Sequence, residues 1–544
     1  MTRLTCRALA LSFSRLSMPL PTRLPERPFI RRRYVVRDEP APVARPTERG
    51  RRLALTLFVV GPAALVALLL ATVCGGTILD CVPLWYDEVW YFNELSVFHT
   101  AGWDGGYTIS HEWTAKLPAV HFGPHGPFFA AFYGTIARLT GLHLWTVPAL
   151  NSAFVLLASM LWLACCRPTA RQIWLAAAIL TTFWPLVLYL PSSMQEGLHM
   201  AVAIGLAGLS TCLIRRPASR ALLAAALVVV VAASQLRVTW AWVAVPLLWV
   251  ALRPRTARQW TGLAVVAALI VLPLYVEAML VNAPFNNFVH KVALRAETSK
   301  LAAVGMLFGH GFKSLLLYVA PTRDTWLQVG LRYQVLLVAA AAALHLNRAR
   351  RESFDDDESP RQAPTEMGFV LLNLLCVVGF VIALYDVSDW RDYRVVAPHL
   401  LLSLMVLVAS GARQWMTGYA VLAAMMGVLV VPQFAAFHQA RCAVDPAEIA
   451  AFGEEGGDAL EFRRGTSAWD NTLLIDVEHI ESPLLAGLPG GIGVSVVSNW
   501  ERQTWPPQAK YLLLKDTLAA RLGAAQSMRK VAHTRLGGVY VQTR

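Results

Sequence analysis

Two adjacent acids, Asp87 and Glu88, stand among Trp85, Tyr86, Trp90 and Tyr91 in the segment LWYDEVWYFNEL. Paired acids in a low-dielectric setting are what a general base or a cation site needs. An interfacial aromatic belt with two solvated acids makes the same pattern. About thirty residues later comes HFGPHGPFFAAFYG, where Gly and Pro hold His121 and His125. The two histidines are four apart, but Gly123 and Pro124 argue against one helix face, so zinc ligation is not expected. A rigid turn entering the membrane is the plainer reading. Further on, DVSDWRDYRVVAPHLLL sets Arg391, Tyr393 and Arg394 at the mouth of an apolar block. An outward-facing Arg there runs against the usual placement of basic residues. It calls for either a local acid (Asp386, Asp389, Asp392) or an anionic ligand. The planar guanidinium fork suits two phosphate oxygens. PSSMQEGLHM places Gln195, Glu196 and His199 at another span end, and Glu277 lies near the end of its own block. Ionisable residues in such positions are functional candidates. Lys291 leads a segment with Arg295, Lys300 and Lys313 among apolar residues. That pattern suits a surface-lying amphipathic helix, and Lys291 is also a candidate phosphate contact.

Positioning these groups falls to a membrane-embedded chain. Of 544 residues, 56% are hydrophobic and only 15% charged, against about 25% charged in a soluble protein. The apolar residues come in blocks of roughly 17–22, the length that crosses about 30 Å of hydrocarbon. Candidate crossings are 53–73, 146–164, 173–190, 198–213, 221–234, 237–252, 260–281, 327–346, 367–385, 395–411 and 416–437, so about 11 transmembrane helices are expected. The segment 127–140 is too short for a full crossing and reads as interfacial or re-entrant. The formal net charge of +13 resides in short clusters between blocks. That is how loops anchor in a cytoplasmic leaflet, and it does not point to nucleic acid. Arg167/Arg171, Arg215/Arg216/Arg220, Arg253/Arg255/Arg258, Arg348/Arg350/Arg351 and Arg413 then all fall on the cytoplasmic side.

Three regions follow: a disordered basic cytoplasmic tail at 1–50, a transmembrane domain at 51–439, and an extracytoplasmic small α/β domain at 440–544. The last has ordinary charge density, β-like runs at 472–477, 492–497 and 510–514, and a hairpin pairing 529–534 with 537–542 near Gly537-Gly538. Its LPGGIG turn is not a dinucleotide fingerprint. The eight cysteines show no CxxC pair. Cys165, Cys166, Cys212 and Cys376 sit in or beside apolar blocks as small hydrophobes. Cys74, Cys81 and Cys442 fall outside, where one disulfide among them is compatible with the compartment.

In order, these features resemble the GT-C superfamily of membrane glycosyltransferases, in the branch of protein O-mannosyltransferases and lipid A aminoarabinose transferases. The carrying motifs are the Asp87-Glu88 pair after a first span, the His121–Pro127 stretch, and the Tyr393-Arg394 run leading to Pro398. The likeness spans roughly residues 50–440, and HGPF replaces the family's HPPL-like wording. It implies a GT-C-like polytopic α-helical fold closed by the C-terminal α/β domain, and a cell-membrane protein with its N-terminus cytoplasmic and C-terminus extracytoplasmic. It also implies transfer of a hexosyl or pentosyl sugar from a polyprenyl-phosphate donor to an acceptor on the extracytoplasmic face. Asp87 and Glu88 are the implied catalytic pair, with Asp87 the base by family pattern alone. Arg391, Arg394 and Lys291 are the implied phosphate site, and His121, His125, Glu196 and Tyr393 further cavity candidates. No cofactor and no metal is required, although a divalent cation near Asp87 and Glu88 is compatible with the acids. Partners are the donor, membrane lipids and an acceptor of open identity. Two other classes stand beside this one: a transporter or flippase, and a non-catalytic scaffold in envelope glycoconjugate assembly.

Overall fold

The computed structural model describes residues 48–110, 121–123, 125–282, 288–319, 326–352, 362–384, 393–411, 413–497, 499–500, 507–522 and 528–542. The expected tail at 1–50 lies almost wholly outside them. The chain enters through α1 (Glu48–Leu69), which tightens into a π-helical turn at Leu70–Cys74 and stops at Gly75, φ 72°. A capped 3-10 turn at Ile78–Asp80 then leads to α2 (Tyr86–Ala101). Next come α3 (Phe128–Thr140), α4 (Thr146–Cys166), α5 (Ala170–Thr182), α6 (Trp184–Tyr189), α7 (Glu196–Arg215) and α8 (Arg220–Ser234). A 3-10 turn at Val238–Val243 runs into α9 (Ala244–Leu252), followed by α10 (Ala257–Val281), α11 (Phe288–Thr298) and α12 (Lys300–Val319). The remaining long helices are α13 (Trp326–Glu352), α14 (Gln362–Leu384), α15 (Tyr393–Ser410) and α16 (Arg413–Cys442). Two short helices, α17 (Pro446–Gly457) and α18 (Asp516–Arg521), belong to the C-terminal part.

Among the described residues, six helices are long and apolar enough to cross a membrane: Glu48–Cys74, Thr146–Cys166, Glu196–Arg215, Ala257–Val281, Thr365–Ala383 and Met416–Cys442. Four shorter apolar helices, Arg220–Ser234, Val238–Leu252, Tyr333–Leu344 and Arg394–Ser410, accompany them among the described residues. The described helices are of unequal length, as the unequal lengths of the apolar blocks suggested. The block at 173–190 is two helices, because Phe183 is extended and Pro185 restarts the chain at α6. The block at 237–252 is half 3-10 and half α-helix. Helix α3 has 13 residues, or about 20 Å at 1.5 Å per residue, short of the hydrocarbon thickness. The basic segment at 288–319 is helical, as its pattern suggested. Helix α7 is the buried centre of the bundle, packing on α4 and α15, whereas α10 presents most of its apolar surface outward.

The C-terminal part is a six-stranded sheet in the order β1-β3-β2-β4-β6-β5. Its strands are β1 (Ile109–Ser110), β2 (Thr472–Asp476), β3 (Gly493–Val497), β4 (Tyr511–Leu514), β5 (Met528–Thr534) and β6 (Gly537–Gln542). The first four pair in parallel, while β6 is antiparallel to both β4 and β5. The three runs and the hairpin read from the sequence all form. The edge strand β1, however, comes from the loop after α2, so this sheet draws on both ends of the chain. Backbones meet closely there: a Cβ on Gly106 would collide with the Asn471 carbonyl.

Side chains alternate across the sheet. Leu473, Ile475, Val494, Val496 and Leu513 pack on Val89 and Trp90 of α2. Leu474, Leu512, Leu514 and Trp500 pack on the far face. From the same helix, Tyr91, Phe92 and Leu95 enter the core of the membrane bundle. Helix α2 is thus clamped between sheet and bundle, which is why it lacks a polar stripe and why its first turn is held in place.

Candidate active site

Asp87 and Glu88 occupy the first turn of α2. Neighbours on a helix diverge by about 100°, and here they serve different partners. Glu88 is 0% exposed. Its Oε2 accepts the N–H groups of Leu84 (3.0 Å) and Trp85 (3.1 Å) ahead of the helix. Its Oε1 accepts the N–H of Ser193 at 3.2 Å and lies 2.7 Å from Nη1 of Arg441, in the last turn of α16. A carboxylate at a helix N-terminus also favours the dipole. Both oxygens are occupied, so Glu88 fixes where α2 begins and ties it to α16 and to the 191–195 turn. Two adjacent helix residues are not expected to serve one proton, and the two acids here face different partners.

Asp87 turns the other way. Its Oδ2 lies 2.7 Å from Nη1 of Arg394, at the start of α15. The Nε of Arg394 is 3.8 Å from Oε1 of Glu196, the first residue of α7. That same oxygen accepts from Nη2 of Arg237 at 2.8 Å, and Arg237 Nη1 donates to the Arg394 carbonyl at 3.1 Å. Two carboxylates and two guanidiniums therefore converge from α2, α7, α15 and the turn before α9. Glu196 is 1% exposed, but the Asp87 and Arg394 side chains are 22% and 16% exposed, so these two form the open side of the cluster. A fully enclosed pair of charges costs desolvation and does no chemistry. A partly open pair can meet a ligand.

The His125 ring packs edge-on against Tyr91, centroids 5.1 Å apart. Desolvation in these packed surroundings pushes His125 down to about 4, with Arg237 and Arg394 adding to the fall and Asp87 and Glu196 opposing it. It is neutral at physiological pH. Burial first, then the charges of Asp87 and Glu196, hold the Tyr91 hydroxyl protonated. Beside the cluster, both side-chain polar atoms of Gln195, Oε2 of Glu196 and Nε2 of His199 have no hydrogen-bond partner among the described residues. The other His199 nitrogen accepts from Trp240 at 3.0 Å, and Trp240 lies against His399.

The other expected residues are placed as follows. His121 stands apart from the charges, stacked on Tyr107 with Nδ1 2.8 Å from the Gly105 carbonyl. Lys291 is exposed on α11, a helix that carries none of the cluster residues. Tyr393 opens α15. Arg391, Asp386, Asp389 and Asp392 lie outside the described residues. Among the described residues no group of three His, Cys, Asp or Glu side chains is placed to hold a metal ion.

Sequence reasoning missed Arg237, Arg441 and Glu94. The first two carried the signal that singled out Arg394, a lone Arg at the wrong end of an apolar block. Glu94 lies two turns from Asp87 on the same side of α2. It is 0% exposed, one oxygen accepts the Gly123 N–H at 2.9 Å, and the other has no partner among the described residues. Burial pushes its carboxyl up to about 8 from 4.5, against the opposing Gly123 bond. Its folded pKa is raised, so the folded state holds the proton more tightly, and stability falls as pH rises from about 4.5 to about 8. Thermal melts of wild type and Glu94→Gln across this range should converge at low pH and separate at high pH, with the wild type losing more. Parallel curves would contradict the protonated assignment.

No family model matches the sequence, and no curated protein matches it significantly. Among solved structures, the chain is similar to ArnT from Cupriavidus metallidurans bound to undecaprenyl phosphate, at 15% identity and TM-score 0.42, covering 90% of this chain and 98% of that one. It is also similar to the Archaeoglobus fulgidus oligosaccharyltransferase tethered with an acceptor peptide, at 10% identity and TM-score 0.47, covering 92% and 74%. The placement of the residues above rests on this chain's own geometry.

Proposed function

We propose that this protein is a multi-pass membrane glycosyltransferase that moves a hexosyl or pentosyl group from a polyprenyl-phosphate donor to an acceptor. The observation that carries the reading is the open Asp87–Arg394 pair, backed by Arg237 and Glu196, at one end of an apolar bundle. Asp87 takes the proton of the acceptor hydroxyl or amine. The freed lone pair attacks the anomeric carbon, the carbon–oxygen bond to phosphate breaks, and its electron pair leaves on the polyprenyl phosphate. That leaving group is a stable anion, so no general acid is needed. Charge growing on the phosphate is met by Arg394, with Arg237 behind it and Arg391 proposed as a further contact. In the free protein Arg394 is held by Asp87. An arriving phosphate competes for the guanidinium and releases the carboxylate for the acceptor. The unfilled polar atoms of Gln195 and His199 suit sugar hydroxyls beside that phosphate. A divalent cation bridging Asp87 and Glu88 would have to displace both Arg394 and Arg441, so we assign the charge compensation to arginine.

We place the sheet end outside and residues 1–50 inside. The basic loops at the ends of α4, α7 and α9 lie at the opposite end of those helices from the cluster. Charged groups concentrated at helix ends favour surface chemistry over a carrier, which places polar groups at mid-membrane between related halves. Loss of a charge-assisted bidentate contact in Arg394→Ala should weaken donor binding by about 1.5–3 kcal/mol. Arg394→Lys should recover only part, since an ammonium lacks the fork. Binding of undecaprenyl phosphate measured by fluorescence or calorimetry checks this, and unchanged affinity in both variants would remove the phosphate role.

A further inference from the structure

Cys74, Cys81 and Cys442 come from two segments far apart in the chain, and the fold gathers them at one junction. Cys74 closes the π-turn after α1, Cys81 follows the Ile78–Asp80 turn, and Cys442 ends α16. The Cys442 thiol is within hydrogen-bonding reach of those of Cys81 and Cys74. Cys81 is 1% exposed, with its sulfur 3.7 Å from the Thr77 carbonyl. Gly76 leaves the room this needs: a Cβ there would stand 3.3 Å from the Cys442 sulfur, tighter than ordinary contact.

We propose that Cys81 and Cys442 form a disulfide in the mature protein, with Cys74 placed as the thiol that can exchange with it. Cys81 is the better partner because it is buried, so a bond there is shielded from external thiols. The two thiols give up two protons and two electrons to the disulfide of an extracytoplasmic thiol oxidant, which leaves as the dithiol. The bond joins the end of α16 to the segment that leads into α2. That is the junction already held by Arg441 and Glu88, one residue from Asp87. It would close a very long loop, where a cross-link restricts the unfolded chain strongly. The proposal rests on the reading that this end of the bundle is extracytoplasmic, since cytoplasmic thiols stay reduced.

The test is peptide mapping by mass spectrometry of the full-length protein, alkylated with N-ethylmaleimide in intact cells before purification without reductant. The expected result is a peptide containing Cys81 joined to one containing Cys442, lost on reduction. Reductant should also lower the melting temperature of the wild type and leave Cys442→Ser unchanged. In a separate sample, Trp469→Cys is labelled with a membrane-impermeant maleimide to report the topology. Recovery of Cys81 and Cys442 both as maleimide adducts, with Trp469→Cys labelled from outside, overturns the disulfide and leaves the topology standing. The same recovery with Trp469→Cys unlabelled overturns both.

Discussion

Asp87→Asn is expected to lower turnover roughly 10²–10⁴-fold, the range that removal of a positioned general base produces. The amide keeps the shape of the side chain and removes the group that takes the acceptor proton. Donor binding should stay the same or tighten. In the wild type the phosphate competes with Asp87 for Arg394 across a 2.7 Å contact, and in the variant that competitor is neutral. The separation of the two effects is the informative feature. A variant that simply misfolds loses binding and turnover together, whereas this one loses turnover alone. Single-turnover transfer and equilibrium binding of undecaprenyl phosphate, measured on protein of equal melting behaviour, distinguish the cases. Near-wild-type turnover in Asp87→Asn would assign the base elsewhere.

Arg441→Met is expected to destabilise the protein by about 3–5 kcal/mol, the cost of stranding one partner of a buried ion pair. Glu88 is 0% exposed and Arg441 1%, so water cannot replace the lost contact. The guanidinium also lies 5.5 Å from the centre of the Phe437 ring, which the Met side chain partly replaces. Glu88→Gln/Arg441→Met removes both charges and keeps an acceptor for the Leu84 and Trp85 amides, so it should recover much of the loss. Thermal melts in detergent compare the variants. A wild-type melting temperature in Arg441→Met would show that the pair contributes little. This pairing, rather than a direct part in proton transfer, is the role we assign to Glu88.

Much of the architecture was legible in the sequence because it follows from local periodicity. Apolar blocks marked the helices, and β-like runs marked three strands and a hairpin of the sheet. Block length did not reveal where a run is broken, so the extended Phe183 before Pro185 turned one expected crossing into α5 and α6. Strand β1 spans two residues and carries no pattern at all; only its partner β3 makes it a strand. At the site, Asp87 and Arg394 stood out singly, one as an acid in aromatic surroundings, the other as a cation at the wrong end of a span. Their pairing was not legible. The expected answer to Arg394 was a nearby acid or a ligand, whereas the fold supplies Asp87 and Glu196 from helices far earlier in the chain. Such contacts depend on which helices neighbour each other and at what rotation, and a single sequence encodes neither visibly. The partner of Glu88 was hidden for a related reason, because Arg441 lies at the far end of the membrane domain.

The central claim is that the sugar–phosphate bond of a lipid-linked donor is broken at this cluster. Proteoliposomes holding the purified protein, loaded with a panel of radiolabelled polyprenyl-phosphate hexoses and pentoses and a mixed acceptor extract, test it directly. The account predicts protein-dependent release of free polyprenyl phosphate, matched by label in the acceptor fraction and abolished in Asp87→Asn. Label that crosses the bilayer with its phosphate bond intact, or donors that bind without turning over in the wild-type protein, would contradict it.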